Sequence, residues 1–200
     1  EAVKLLRQRR VMPTSLGSAD LLKIDADLRR YSTFSAKVLD VEFVQQIHDL
    51  ASRIVEPRKL GGEPGTYMDR ATMRTMLKDY LSRIGYVPEE GVEGTLQDLQ
   101  SDVRLDLIAR MNVEMAQGFG QHVQANDVAV LETFPCQELF RLEGRIKQRD
   151  WDKPMIGRWA RNGGKFYGGG RMIARKDDPI WTAISRFGNP YPPFAYNSAM

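Results

Sequence analysis

The stretch SDVRLDLIARMNVEMAQGFGQHVQ, residues 101–124, decides the fold. Leu105, Ile108, Met111, Met115 and Phe119 recur three or four positions apart, and Ala109, Val113, Ala116, Gly120 and Val123 do the same on a neighbouring face. That spacing predicts a buried helix with one bulky face and one face of small residues, which a second element can approach closely. Asn112 lies beside the small stripe, where a buried amide needs hydrogen-bond partners, so it is expected to tie a neighbouring loop or helix end to this helix.

Working outward toward the N-terminus, Ala2 to Val11 reads as a short basic helix ended by Pro13 and Gly17, an arm over residues 1–34. A helix is expected from Asp20 to Arg30. A second runs from Asp40 to Glu56, with Asp40 as N-cap and Val41, Val44, Ile47, His48 and Ala51 on its inner face. Pro57 stops that helix, and the loop PRKLGGEPGTY carries no periodicity. The next helix begins at Thr66 or Asp69, turns Met73, Met76, Leu77 and Tyr80 inward, and ends at Gly85. Pro88, Gly91 and Gly94 make the approach to the central helix rich in turns.

Beyond the central helix, Asn126 is placed to cap a short helix through Thr133, and Pro135 breaks it. From Gly144 helical periodicity fades, and pieces such as Phe166–Tyr167 and Arg171–Ala174 alternate with glycine turns. The fold class expected is therefore α+β, predominantly α-helical, with a helical domain over 35–143 and a small β-rich or irregular C-terminal region over 144–200 packed on it. The closing residues, DDPIWTAISRFGNPYPPFAYNSAM, are dense in proline and aromatic rings and are expected to pack back rather than trail.

Two hundred residues suffice for a hydrophobic core without covalent staples, and one cysteine, Cys136, can form no internal disulfide. No signal peptide or membrane span is readable, so the expectation is a soluble chain without membrane partners. The net charge of +3 is unevenly spread. Residues 1–140 carry 17 Lys and Arg against 21 Asp and Glu, whereas 141–200 carry 12 against 5. Such a basic segment suits nucleic acid, an acidic protein surface or solvent alike.

His48 and His122 have no His or Cys at metal-ligand spacing, and Cys136 has no base near it in sequence. The glycines of NGGKFYGGGR lack the phosphate-loop pattern, because Phe follows Lys165, and read better as a hairpin turn. Asp177 and Asp178 read as a turn or cap. No cofactor, metal or catalytic residue is therefore expected. Arg145, Lys147, Arg149, Arg158, Arg161, Lys165, Arg171, Arg175 and Lys176 are interleaved with Trp151, Trp159, Phe166 and Tyr167, a texture shared by single-stranded nucleic-acid grooves and by ordinary cores with cationic edges.

RLDLIARMNVEMAQGFGQ at 104–121, followed by GRMIARKDDPIW and NPYPPFAYNSAM, resembles in order and spacing the central helix and closing segment of the Mu-like phage head-morphogenesis family, the minor head proteins. The preceding LKDYLSRIGYVPEEGVEGTLQDLQSDVR is similar to the lead-in of its prophage members, so the resemblance covers the chain from about residue 35. The family's Thr-Asn pair is here Met111-Asn112, its Asp, Arg and His signature is not evident, and its terminal Cys-Arg-Cys is replaced by Asn197, Ser198 and Ala199. What the resemblance carries over is a scaffold: Arg104, Asn112, Ala116 and Gly120 on the helix, Asp178, Pro179 and Trp181, and the Pro192-Pro193 closure. It implies a non-enzymatic virion protein at the head or connector, present in the host cytoplasm during assembly, with portal, capsid or scaffold proteins as partners and DNA as a further one. A nuclease or transferase toxin-like enzyme on the same module, and a DNA-binding module using the basic end, stand as the alternatives.

Overall fold

The structure, a computed structural model, describes residues 1–56, 68–140 and 152–196. It is α+β and mainly helical, and it divides into two compact units, Glu1–Gln117 and Gly118–Met200. Among the described residues no helix is long and apolar enough to cross a membrane.

In the first unit the chain runs through α1 (Ala2–Gln8), β1 (Arg10–Val11), α2 (Ser18–Leu21), α3 (Ala26–Arg30), β2 (Ser32–Thr33), α4 (Val41–Val55) and α5 (Arg70–Arg83) into α6 (Asp102–Ala125). Strands β1 and β2 pair in parallel, Arg10 beside Ser32 and Val11 beside Thr33. The core is a three-helix layer: Phe43, Val44 and Ile47 from α4, Met73, Leu77 and Leu81 from α5, and Leu105, Ile108, Ala109 and Val113 from α6. Each of these removes apolar area from water at about 25 cal/mol per Å².

The caps are local and legible. Asp40 accepts from the Phe43 amide at 2.9 Å and Asp69 from the Thr72 amide at 2.7 Å, each filling one of the amide vacancies at a helix start. Ser101 does the same for α6 through the Arg104 amide at 3.2 Å, and Gly85 closes α5 at φ +71°. Thr72 holds the Asp69 carboxyl below its ordinary value, as a backbone donor to a carboxylate should.

Four expectations for this unit are corrected. Residues 1–34 are not an appended arm, because Leu5 and Leu6 of α1 are buried and the helix lies against α4. The expected helix from Asp20 to Arg30 is two short ones, because Asp25 accepts from the Asp27 and Leu28 amides and starts α3 afresh. The inner face of α4 is rotated toward the larger side chains: Phe43 and Leu50 are buried, whereas Val41 is 59 % exposed and His48 half-buried. On α5, Met76 is 38 % exposed and Leu81 takes the inward place. The loop expected over 57–67 lies outside the described residues.

The second unit continues with α7 (Val128–Thr133), β3 (Cys136–Leu139), α8 (Asp152–Arg161), β4 (Phe166–Tyr167), β5 (Arg171–Arg175) and α9 (Ile180–Ile184). The strands form one antiparallel sheet in the order β3-β5-β4, Leu139 and Phe166 both standing opposite Met172. A single 3-10 turn, Gly168–Gly170, closes the β4–β5 hairpin with Gly169 at φ +77° and Gly170 at φ +84°, whereas Gly163 and Gly164 of NGGKFYGGGR close the end of α8. Leu139, Met155, Trp159, Met172, Trp181, Ile184 and Phe194 form the core.

Two expectations are corrected here. The cap of α7 is Asp127, whose carboxylate accepts from the Ala129 amide at 3.0 Å, while Asn126 turns back to His122. Helix α8 lies where no helix was expected, because Pro154 and Gly157 argue against one; Pro154 falls in the first turn, where the amide it lacks would have had no partner. The division expected between residues 143 and 144 falls in a stretch outside the described residues, while the boundary between the compact units falls within α6, at Gln117 and Gly118.

Candidate functional site

Arg104 is a clamp. Its guanidinium donates to Ser35 Oγ at 2.9 Å and to the Ala36 carbonyl at 2.7 Å, so α6 holds a loop 68 residues away in sequence. Charge-assisted bonds of this kind are roughly twice as strong as neutral ones. Asn112 differs from its expectation. Its amide donates to the Ile108 carbonyl at 2.9 Å, one turn back on its own helix, and so ties no neighbouring element there. Ala116 is fully buried, and Gly120 is buried too.

Within the second unit the end of α6 meets the closing segment at Gly118, two residues from the stripe position Gly120. A methyl group on Gly118 would lie 1.9 Å from the Pro192 carbonyl oxygen and 3.2 Å from the Tyr191 ring. Only a hydrogen fits there. Beside it, Phe119 meets the Tyr191 ring edge-on at 5.8 Å and His122 lies over the same ring at 5.4 Å. The alternation Gly118-Phe119-Gly120 was the available signal, but two glycines in one turn do not say which is against backbone.

The closing segment is anchored throughout its described part. Asp178 accepts from the Ile180 amide at 2.8 Å and, with Pro179 at the N-cap, starts α9. Trp181 Nε1–H donates to the Arg175 carbonyl at 2.6 Å, and its ring meets Trp159 edge-on at 5.5 Å and stacks with Phe194 at 6.2 Å. Asn189, buried, donates to the Tyr191 carbonyl and accepts from Ser185 at 3.1 Å. Pro193 is buried and Pro192 half-buried. The closing segment thus packs back within the second unit, giving Ile180, Trp181, Ile184 and Phe194 to its core; 197–200 lie outside the described residues.

The basic residues separate into unlike groups. Arg171 binds Glu138 through two bonds, and Arg175 binds Asp177 at 2.9 and 3.0 Å, so these charges are already met by carboxylates. The two arginines hold Glu138 and Asp177 below their ordinary pKa values. Arg158 donates to the Ile184 carbonyl at 2.7 Å, while Arg161 and Lys165 are exposed. Arg145, Lys147, Arg149 and Trp151 lie outside the described residues. Trp159 is fully buried with its Nε1–H on the Lys165 carbonyl, so it offers no ring for base stacking.

Chemistry of other kinds is thinly represented. Among the described residues no three His, Cys, Asp or Glu side chains come together as metal ligands. Burial lowers the pKa of His48, Asp49 acting the other way and Arg9 adding to the fall. Tyr80 is pushed up to about 12, first by burial and then by the charges of Asp40 and Glu42, whose carboxylates its hydroxyl approaches at 3.3 and 3.4 Å. That arrangement links the start of α4 to the last turn of α5 by a neutral phenol donor. No protein-family model, curated protein or solved structure matches this chain.

Proposed function

We propose that this chain is a minor head protein of a tailed phage or prophage, acting at the portal or connector while the capsid assembles and DNA is packaged. The observation that carries the reading is the ordered resemblance of residues 104–121, 170–181 and 189–200 to the central helix and closing segment of the head-morphogenesis family. Support comes from the way these segments serve one another. The end of the central helix receives the closing segment at Gly118 and Pro192, and the Asp178-Pro179-Trp181 element seats its indole in the same unit's core. The parts that carry the resemblance are therefore a scaffold, which is what a protein acting through its surface requires.

The test is co-expression with a tailed-phage portal protein, followed by affinity capture and sizing of the complex. A portal ring carrying this chain in defined stoichiometry is the expected result. Failure to co-purify with portal, capsid or scaffold protein, together with turnover of a nucleic-acid or nucleotide substrate, would transfer the chain to the enzyme class.

A further inference from the structure

Five arginines of the second unit are described on α8, the hairpin and the closing segment, and they are not equivalent. Arg171 and Arg175 each have a bidentate carboxylate partner. Arg158, Arg161 and Arg186 have none among the described residues, although carboxylates are the ordinary solution for a guanidinium in this unit. Geometry brings the three together. Arg158 and Arg161 are one turn apart on α8, a spacing that places side chains side by side. Arg158 Nη1–H is fixed on the Ile184 carbonyl at 2.7 Å, and Arg186 follows two residues later, held in place by its own amide on the Phe194 carbonyl at 2.8 Å.

Like charges gathered in this way repel, and the repulsion is visible on the half-buried member. Burial, then the neighbouring Arg186 and Arg161, lowers the Arg158 pKa. Two of the three could be excused as cations at a helix C-terminus, where the backbone dipole welcomes them. Arg186 is on no helix and has no such excuse.

We propose that Arg158, Arg161 and Arg186 form a binding patch for the phosphodiester backbone of nucleic acid, one guanidinium to a phosphate. A planar fork of donors matches phosphate geometry, and an arginine needs no particular base beside it. A polyanion fits better than one acidic peptide because the described residues 152–196 carry 8 Lys and Arg against 3 Asp and Glu, an excess of positive charge beyond the three side chains. Phosphates are the contacts assigned here, because a guanidinium fork needs no base beside it and Trp159 and Trp181, in the core, offer no ring to one. Of the residues whose interleaving first suggested nucleic acid, only Arg158 and Arg161 belong to the patch; Arg186, far along the sequence from the basic run, completes it. The patch does not depend on the portal reading.

The experiment is a titration of the full chain with short duplex DNA of mixed sequence at several salt concentrations. Three phosphate contacts give a slope of log K against log salt of about −2.7. The double variant Arg161→Ala/Arg186→Ala, both sites exposed and so compatible with folding, should bind at least tenfold more weakly, with a slope reduced to about −0.9. Arg171→Ala, which removes an already paired charge, should leave both nearly unchanged, and circular dichroism should show all three proteins equally folded. Wild-type binding by the double variant, an equal loss from Arg171→Ala, or capture by anionic vesicles or an acidic peptide without DNA binding would each overturn the assignment.

Discussion

Replacing Gly118 by alanine sets two effects of known size against each other. In a helix interior alanine is more favourable than glycine by about 1 kcal/mol, so on local grounds alone the variant should gain stability. The added methyl, however, would stand 1.9 Å from the Pro192 carbonyl oxygen and 3.1 Å from its carbonyl carbon. The obstacle is backbone, not the end of a flexible side chain, and the closing segment must retreat by more than about 1 Å, which puts the overpacking cost in the upper part of its usual range, about 2–3 kcal/mol. Retreat also disturbs Tyr191 and Phe194, both buried. The steric effect should win, leaving Gly118→Ala less stable by about 1–2 kcal/mol after the helix gain is subtracted. Equilibrium urea unfolding followed by circular dichroism reads this as a midpoint lower by roughly 0.5–1 M at an ordinary slope. Gln117→Ala, at the neighbouring exposed position, should stay within about 0.5 kcal/mol of wild type. A Gly118→Ala protein as stable as wild type would refute the reasoning, since it would mean that the Pro192 carbonyl yields freely.

Ala116→Leu should cost about 1–3 kcal/mol in the same assay, because the site is fully buried and leucine adds three carbons; an unchanged midpoint would show that the small face has room to spare. Stability should fall in acid partly through Glu138. Its folded pKa is depressed by Arg171, so the pairing contributes fully above the ordinary value of 4.5 and is lost as pH falls through the lower folded value. Glu138→Gln should therefore narrow the difference in urea midpoint between pH 6 and pH 3, and an identical difference in both proteins would remove Glu138 from the account. Trypsin should cut slowly after Arg186, whose amide is bonded to the Phe194 carbonyl, and a protein lacking residues from Gly188 should aggregate as Trp181 and its neighbours lose their cover. Rapid cleavage leaving unchanged stability would make the closing segment a mere tail.

Much of the helical framework could be read from short-range chemistry. Asp40 and Asp69 cap the helices they precede, and Gly85 takes the left-handed turn that ends α5, because each of these is decided within four residues of chain. Features settled by neighbours distant in sequence were not legible. The two apolar stripes of α4 overlap, and it was the packing volume of Phe43 and Leu50 that chose between them. Helix α8 carries Gly157 in its interior, which penalises it locally, yet Met155 and Trp159 offset that by entering the core. The pairing of Arg171 with Glu138 spans 33 residues, so no reading of charge along the chain could tell a neutralised arginine from an open one. Asn112 failed for the opposite reason. It found a partner closer than expected, on the preceding turn.

The sequence places Trp151, Trp159 and Trp181, all its tryptophans, within residues 118–200, and none within 1–117. Indole emission is therefore a private signal of the second unit, while far-ultraviolet ellipticity is dominated by the long helices α4, α5 and most of α6. The unmodified protein thus reports on its two halves through two optical channels. Superimposable melts would show one cooperative transition, and an offset between them would give the order in which the halves come apart.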